Sequence, residues 1–459
     1  MGKNLEKFIV LISFMSSVLG VFVINGVIIG VPEIASEFGM NNVVQNWIPT
    51  IFVFAVTILT IPAGQLAGKI GFKKTLIIGN VIKLIGFIGI VFALSTETFL
   101  LFRLLQGIGV AFANVSEIAI IVLGIREERR GSALGITATG VYVGTSAAPV
   151  ICGFLVQNFG WRSMFYIAIP LLILCILLMI FKLDTEWTVD ENIKMDKLGS
   201  VLYMIGIFLF VFGFTELLQL KGQISLVIGF IFIILFILYE LKQTSPVFDV
   251  RLFKNKPFAS YNIAGLCGYF AVMVVTTILN YHFQYVRGWD AELTGLILII
   301  SPIVMSITAV NAGRLSDRYH PQKIASIGMF IAIFAFVILS FLNANTPLPV
   351  VVLAMVLQAL GMGLFSSPNM NAIMSSVSKK DVSHASGSQI TMRAIGQTMS
   401  LALLTLVFSW VMGNLEISAQ YASMVVQASQ IICMVCTLAC VFAVVVSLLG
   451  IKSEKKVSV

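Results

Sequence analysis

Residues 46–74 read NWIPTIFVFAVTILTIPAGQLAGKIGFKK. The segment opens with about twenty mostly apolar residues, which is the length that an α-helix needs to cross the hydrocarbon core of a bilayer. It closes on a short glycine-rich stretch that carries three lysines. An apolar run followed by a basic connection is typical of a transmembrane helix that ends on the cytoplasmic side. Similar units recur through the sequence.

Further apolar stretches of this length follow one another through the 459 residues. Most connections between them are short, which favours helices that run antiparallel to their neighbours. We predict about fourteen transmembrane helices, over residues 8–31, 46–67, 74–95, 98–124, 132–156, 161–181, 199–219, 224–241, 259–286, 293–313, 322–342, 348–375, 384–412 and 424–449.

The distribution of basic residues over the connections provides a check on this number of helices. With fourteen crossings, 23 of the 29 lysines and arginines fall in connections on one side of the membrane. The connections on the other side hold only Arg162, Lys221 and Arg287. A missed helix would scatter the basic residues over both sides. Because basic residues mark the cytoplasmic side, we expect a multi-pass protein of the cell membrane with both termini in the cytoplasm.

The composition argues against a water-soluble globule. Hydrophobic residues make up 58% of the chain and charged residues 11%, whereas a soluble domain is about 25% charged. We therefore interpret the net charge of +8 as an attraction to anionic lipid head groups, and we expect no nucleic-acid partner. Cys433, Cys436 and Cys440 share a helix face without a nearby His or acid. They are interpreted as packing residues, and we expect no metal and no cofactor.

An internal repeat indicates how the helices are grouped. The glycine-rich basic stretch at 64–74 follows the second predicted helix, and a similar stretch, GRLSDR at 313–318, follows the tenth. Duplicated bundles are the plan of many secondary transporters. We predict an all-α polytopic membrane protein with a six-helix bundle over 1–182, linkers and an inserted two-helix hairpin over 183–257, and a pseudo-symmetric six-helix bundle over 258–459.

Several further motifs occur in a fixed order along the chain. They read LLFRLLQGIG at 100–109, GVYVGTSAAPVICG at 140–153, GWRSMFYIAIP at 160–170, PVFDVRLF at 246–253, GMGLFSSPN at 361–369, ASG at 385–387 and RAIGQ at 393–397. With the repeated loop, this ordered set resembles the major facilitator superfamily, and specifically its fourteen-helix drug:proton antiporter branch. The resemblance spans nearly the whole chain. It implies the major facilitator fold and multidrug efflux, coupled to protons, in which two bundles rock around a site at mid-membrane.

The sequence departs from the branch in its first helix and its first loop. The family has an acid, a Thr and an Asn in the first helix, where this chain has Val23, Asn25 and Ile28. The Asp of the first glycine-rich loop is replaced by Gly68, although the second half retains Asp317. An acid that the family often uses for cation recognition or proton coupling is therefore missing, which leaves the substrate and the coupling route open.

Glu117 is the strongest candidate for proton coupling. It lies deep in an apolar helix, where ionisable residues are costly and usually functional, and burial favours the neutral carboxyl form. Arg103 is fourteen residues earlier, or about 21 Å along the helix, and the resemblance implies that it supports proton exchange. The alternative is structural, since Lys83 reaches a similar depth and would form an ion pair with Glu117.

Other polar and aromatic side chains are candidates for a substrate cavity, although each one could instead face lipid or the core. Arg393 could contact an anionic group or hold backbone carbonyls near Gly396. The cavity candidates are Asn25, Asn114, Tyr142, Asn262, Tyr269, Asn280, Gln284, Asn369 and Arg393.

The resemblance implies gating residues in two regions. The cytoplasmic loops would close a gate through charge contacts, although a topology signal explains the lysines equally well. In the fifth helix, small residues and a proline would seal and bend the pathway, or simply allow close packing. The gating candidates are Gly64, Lys69, Gly71, Lys73, Asp317 and Arg318 in the loops, and Gly140, Gly144, Pro149 and Gly153 in the helix.

These features favour a secondary transporter over other classes of membrane protein. A membrane enzyme would need clustered ligands or a nucleophile with its base, and a sensor would need a sizeable soluble domain. The sequence lacks a nucleotide-binding motif, so an ion gradient is the expected energy source. We expect a monomer whose partners are a small amphiphilic substrate, protons and membrane lipids. Export of an anionic or lipid-like solute is the alternative within transport.

Overall fold

The computed structural model describes residues 3–40, 42–189, 194–413 and 419–457. Regular secondary structure within these ranges is entirely helical, and it provides 14 segments long and apolar enough to cross a membrane. This confirms the predicted class of an all-α polytopic membrane protein. The helices are α1 Lys3–Phe38, α2 Asn42–Ile70, α3 Phe72–Val91, α4 Thr96–Gly124, α5 Glu127–Phe159, α6 Ser163–Lys182, α7 Lys197–Thr215, α8 Leu220–Glu240, α9 Lys256–Tyr281, α10 Ala291–Leu298, α11 Ile300–Arg318, α12 Pro321–Ser340, α13 Leu348–Ser375, α14 Val382–Met412 and α15 Ala422–Val457.

The tenth membrane segment consists of two helices, α10 and α11, which meet at Ile299. The sequence predicted one helix over 293–313. Pro302 explains the interruption, because its ring nitrogen cannot donate a hydrogen bond to the carbonyl group one turn earlier. The ninth segment extends beyond α9 through a π-helical turn over His282–Val286.

Several helices continue further than the sequence predicted, and they include most of the gating candidates that were expected in loops. Gly64 and Lys69 lie in α2, Lys73 lies in the first turn of α3, and Asp317 and Arg318 lie in the last turn of α11. Gly71 ends α2, since its φ of 107° belongs to the left-handed region that favours glycine. Pro321 opens α12 and limits how far the preceding chain can stay helical.

The chain forms two compact units. Unit 1 comprises the described residues of 1–208, 232–250 and 377–390, and unit 2 comprises those of 209–231, 251–376 and 391–459. Helices α1–α6 lie in unit 1. The division at residues 182 and 257 that we expected from the sequence stays a prediction.

The two units repeat one packing scheme. In unit 1, α4 packs against α2 and α3, while α6 packs against α1 and α3. In unit 2, α13 packs against α11 and α12, while α15 packs against α9 and α12. The correspondence of α1, α2, α3, α4 and α6 with α9, α11, α12, α13 and α15 is the structural counterpart of the repeat in the sequence.

Reciprocal glycine contacts set the register of both copies. A side-chain carbon on Gly109 would lie 2.5 Å from the carbonyl oxygen of Gly79, and one on Gly79 would lie 2.7 Å from that of Gly109. Gly328 of α12 and Gly361 of α13 repeat this arrangement. A side-chain carbon on Gly328 would lie 2.5 Å from the Gly361 carbonyl oxygen, and one on Gly361 would lie 2.7 Å from the Gly328 carbonyl oxygen. Since lipid offers no hydrophobic drive for helix association, such close backbone packing is a main source of attraction.

A charged clamp joins three helix ends in unit 1. The Arg162 guanidinium donates two hydrogen bonds to the Glu37 carboxylate, at 2.6 Å and 2.7 Å, and a third to the Val91 carbonyl oxygen at 3.0 Å. The Trp161 indole donates a further bond to Glu37 at 2.7 Å. Arg162 holds the pKa of the Glu37 carboxyl below its usual value. The motif at 160–170 thus ties the start of α6 to the ends of α1 and α3.

Replacing Gly109 by alanine is expected to destabilise the protein by roughly 1–3 kcal/mol, because the added carbon overlaps the Gly79 carbonyl group. Gly20→Ala is the matched control, since a carbon at Gly20 meets no atom within 4 Å and alanine favours the helix. Melting temperatures of the purified variants measure the difference. Equal melting temperatures for both variants would contradict the packing argument.

The clamp should also make stability depend on acidity. The pKa of Glu37 is lowered in the folded protein. The stabilisation that Glu37 provides is therefore fully present above the pH at which an ordinary carboxyl group titrates. It is lost as the pH falls through the lowered pKa of the folded protein. We expect the melting temperature of the wild type to fall over this acidic window and that of Glu37→Gln to fall less. Glu128→Gln, which changes an exposed carboxyl of α5, should behave as the wild type. A steep acidic fall retained in Glu37→Gln would refute the assignment.

Candidate functional site

The carboxyl group of Glu117 lies in the interior of unit 1. Glu117 is 4% exposed, on a face of α4 that is almost wholly buried. The Ser17 hydroxyl of α1 donates a hydrogen bond to Glu117 Oε1 at 3.0 Å, and the Ser16 hydroxyl is a second hydrogen-bonding neighbour. The carboxyl group is therefore held by hydroxyl groups, which can partner either its charged or its neutral form.

Lys83 of α3 and Cys175 of α6 complete this polar cluster. Lys83 is 2% exposed, and its ammonium group attracts Glu117 electrostatically. The ion pairs within 4.0 Å that the described residues form do not include Lys83 with Glu117. The direct pairing suggested from the sequence stays a prediction, and the electrostatic interaction between the two groups acts over a longer distance. In a dry interior, that attraction changes strongly when either group gains or loses a proton.

The serines and the cysteine were not singled out from the sequence. Ser16 and Ser17 form a polar pair inside an apolar run, which is a weak signal by itself. Ser17 and Glu117 are 100 residues apart, and only the packing of α1 beside α4 brings them together. Asn80, one turn before Lys83, is also buried and has an unpaired side-chain oxygen.

Arg103 occupies a separate place on α4. The residue is 0% exposed. It donates hydrogen bonds to the Ile48 carbonyl oxygen at 3.2 Å and to Gln106 Oε1 at 2.7 Å, and its guanidinium lies 4.9 Å from the Phe52 ring centre. Its Nη2 atom has no partner. The two residues predicted to couple protons are thus not in one site, because Arg103 faces α2 at about 21 Å along the helix from Glu117.

A second polar group lies in unit 2 around Arg393. Its guanidinium is 5.1 Å from the ring centre of Tyr269, which packs edge-on against Phe365. None of the ion pairs in the described part of the chain includes Arg393. Asn369 is 1% exposed, and its side-chain oxygen has no partner. A cation on an aromatic face suits recognition of an anionic or aromatic group.

Asn369 and Glu117 hold equivalent positions in the two units. The glycine contacts align Gly109 of α4 with Gly361 of α13. Each glycine is three residues after a buried glutamine, Gln106 or Gln358, and eight residues before Glu117 or Asn369. The repeat therefore places a carboxyl group in one unit where the other has a neutral amide on a shorter side chain. Reading the sequence as two copies in this register could have found the equivalence.

The remaining cavity candidates differ in their surroundings. The buried Asn262 amide donates to the Phe258 carbonyl oxygen of its own helix at 2.9 Å. The Gln284 amide donates to Asn280 Oδ1 at 2.8 Å, and both side chains are half-buried. In unit 1, the half-buried candidates are Asn25, Asn114 and Tyr142. Their roles stay predictions.

The segment after α6 covers the gating stretch of α2. The Glu186 carboxylate accepts the backbone amides of Lys73 and Lys74 at 2.8 Å and 3.2 Å, which caps the start of α3. The Val189 amide donates to the Gly68 carbonyl oxygen at 3.0 Å. Gly64 faces α14, where a side-chain carbon would lie 3.3 Å from the Ser383 carbonyl oxygen. Glu186 is more than 100 residues from the start of the helix that it caps, so this role was not predictable from the sequence.

The small residues of α5 fall into two groups. A side-chain carbon on Gly140 would lie 2.8 Å from the Phe14 carbonyl oxygen, and one on Gly144 would lie 2.7 Å from that of Val18. These glycines allow α5 to touch the α1 backbone. A carbon on Gly153 would meet no atom within 4 Å. The side chain of Pro149 lies outside the described residues.

No group of three or more His, Cys, Asp or Glu residues in the described ranges could hold a metal ion.

The sequence matches one family model and is similar to several named transporters. The family model described as Major Facilitator Superfamily matches residues 10–401. A riboflavin transporter, RibZ of Clostridioides difficile, is 28% identical over 88% of this chain and 88% of its own length. The multidrug transporter protein MdtP of Bacillus subtilis is 26% identical over 85% of this chain and 74% of its own. The multidrug resistance protein Stp of Mycobacterium tuberculosis is 25% identical over 88% of this chain and 77% of its own length.

Solved structures of low sequence identity share the fold. The human organic anion transporter MFSD10 has a TM-score of 0.68 at 13% identity, covering 96% of this chain and 100% of that one. The Escherichia coli fucose:proton symporter FucP has a TM-score of 0.66 at 16% identity, covering 95% of this chain and 97% of that one. The chain therefore belongs to the Major Facilitator Superfamily and is a membrane transporter, as members of this family are, and not an enzyme.

Proposed function

We propose that the protein exports small amphiphilic compounds, drugs included, in exchange for protons, by alternating access and with both termini in the cytoplasm. The buried Glu117 carboxyl group and its Ser17 partner carry this proposal. It is supported by the ordered motifs and by relatives that are named multidrug transporters. The basic connections support the orientation.

The contacts of α1 provide a route from protonation to movement. The Ser17 hydroxyl binds Glu117, and the next residue, Val18, contributes the carbonyl oxygen against which Gly144 of α5 packs. A carbon on Gly140 would also lie 3.2 Å from Ser17 Cβ. Protonation of Glu117 removes its attraction to Lys83 and alters its bond to Ser17. Both changes would therefore alter the packing of α1 against α5.

Glu117→Gln is expected to abolish substrate accumulation driven by a pH gradient, because the amide keeps the shape of the acid but takes up no proton. Downhill exchange of substrate should persist. Accumulation of a cationic dye in proteoliposomes, with the pH imposed on each side, measures the difference. Glu97→Gln, which changes an exposed acid of the same helix, is the control. Normal gradient-driven accumulation by Glu117→Gln would disprove the carrier role.

Ser17→Ala should have a partial effect. A hydrogen bond to a charged group contributes about 1.5–3 kcal/mol, so its loss would shift the pH of half-maximal transport while leaving transport measurable. A profile identical to that of the wild type would show that Ser17 does not tune Glu117.

Export of an anionic solute is the second candidate function. The observation that favours it is the Arg393 guanidinium stacked on Tyr269, with no ion pair to a carboxylate among the described residues. A relative named as a riboflavin transporter is consistent with a flat aromatic substrate that could stack in such a group.

Arg393→Gln separates the two candidates. If the substrate is anionic, this variant loses transport of an anionic amphiphile and retains that of a cationic dye, because only the anion needs the guanidinium charge. Arg393→Lys, which keeps a cation, should retain part of the activity. Uptake of both probes by proteoliposomes is compared directly. Equal effects on both probes would assign Arg393 a structural role.

A further inference from the structure

The base of the α7–α8 hairpin contains another buried carboxyl group. Glu240 is the last residue of α8 and is 0% exposed. Neither of its carboxylate oxygens has a hydrogen-bond partner, although the backbone amides of Val247 and Phe248 face the group. An ionised carboxylate in this position would lose its hydration in return for these two amide contacts at most, which is costly.

Asp196, just before α7, is the group that Glu240 meets. Its Oδ1 atom accepts the Gly199 amide at 2.8 Å and the Tyr239 hydroxyl at 3.3 Å. Its Oδ2 atom is buried and has no partner. Asp196 Oδ2 and Glu240 Oε1 both face Gly199, where a side-chain carbon would collide with each of them. The two unpaired carboxyl oxygens therefore both lie next to the space that a side chain at position 199 would fill.

The charges that act most strongly on Glu240 come from acids, and His384 lies against the same Val247 backbone and Asp249. The groups that act electrostatically on Glu240 are Asp196 and Asp249, and Tyr239 supplies only a neutral hydroxyl. None of the ion pairs in the described ranges includes Glu240 or Asp196. Two ionised carboxylates near each other repel, whereas one shared proton removes the repulsion and supplies a donor between the two carboxyl groups.

The pair is connected to the gating stretch of α2. Gln65, which follows Gly64, accepts the Asp196 backbone amide through its Oε1 atom at 3.2 Å. Its Nε2 atom donates to the carbonyl oxygens of Ser245 and Pro246, at 3.4 Å and 3.2 Å. One side chain of α2 therefore binds both the residue before α7 and the segment after α8.

We propose that Glu240 and Asp196 form a proton-binding site in which one proton bridges Glu240 Oε1 and Asp196 Oδ2. The bound proton holds the two ends of the hairpin together beside Gln65. Its release places two negative charges at this position and loosens the hairpin from the gating stretch. The site lies on different helices from Glu117 and does not depend on whether Glu117 couples transport to protons.

Infrared spectroscopy of the full-length protein in lipid tests this site, because a protonated carboxylic acid has a carbonyl band distinct from that of a carboxylate. At neutral pH we expect the wild type to show such a band and Glu240→Gln to lose it. Asp196→Asn should lose it too, since its amide still caps Gly199 and can donate to an ionised Glu240. Melting temperatures show that each variant is folded, and either variant alone suffices for the test.

Two controls identify the source of the band. Glu216→Gln, at the other end of the hairpin where Glu216 pairs with Lys221, should retain it. Glu117→Gln removes any contribution of that carboxyl group and should leave the Glu240 band in place. The proposal is overturned if, in the Glu117→Gln background, either Glu240→Gln or Asp196→Asn is folded and still keeps the band. It is also overturned if added sodium ions abolish the wild-type band at constant pH, which would assign the site to a metal cation.

Discussion

Backbone contact between helices at glycine is the constraint on which the remaining structure depends. In lipid, apolar side chains gain little by leaving their surroundings, so helices associate through close van der Waals contact. Gly79 with Gly109 and Gly328 with Gly361 provide this contact once in each unit. Because a slip along either helix would drive a side chain into a carbonyl group, these pairs determine which residues face one another elsewhere along α3, α4, α12 and α13.

The repeated framework carries different chemistry in its two copies. The register that places Glu117 in unit 1 places Asn369 in unit 2, and Ala332 takes the position of Lys83. At these equivalent positions the titratable groups therefore belong to unit 1, whereas unit 2 has an arginine over an aromatic ring. In the proposed function, unit 1 would bind the proton and unit 2 would contact the substrate, since the two events need different side chains.

Much of the framework was accessible from the sequence. Apolar runs of spanning length and the one-sided basic connections gave the number of helices, and the depth of Glu117, Lys83 and Arg103 in such runs indicated burial. The ends of α2 and α11 were misplaced, because glycine is tolerated inside a helix and does not end it unless the chain needs a left-handed residue, as at Gly71. Burial of Glu240 was not evident, since a helix end beside a polar segment normally reaches water.

The sequence by itself determined that this chain crosses a membrane through fourteen helices and repeats its plan. Those properties follow from local length and hydropathy, because each helix satisfies its own backbone hydrogen bonds in lipid. Only the tertiary structure decided which polar groups meet: Ser17 with Glu117, the Ile48 carbonyl group with Arg103, and Asp196 with Glu240. Such pairings depend on the crossing of distant segments, which hydropathy does not encode, and they decide what each buried charge can do.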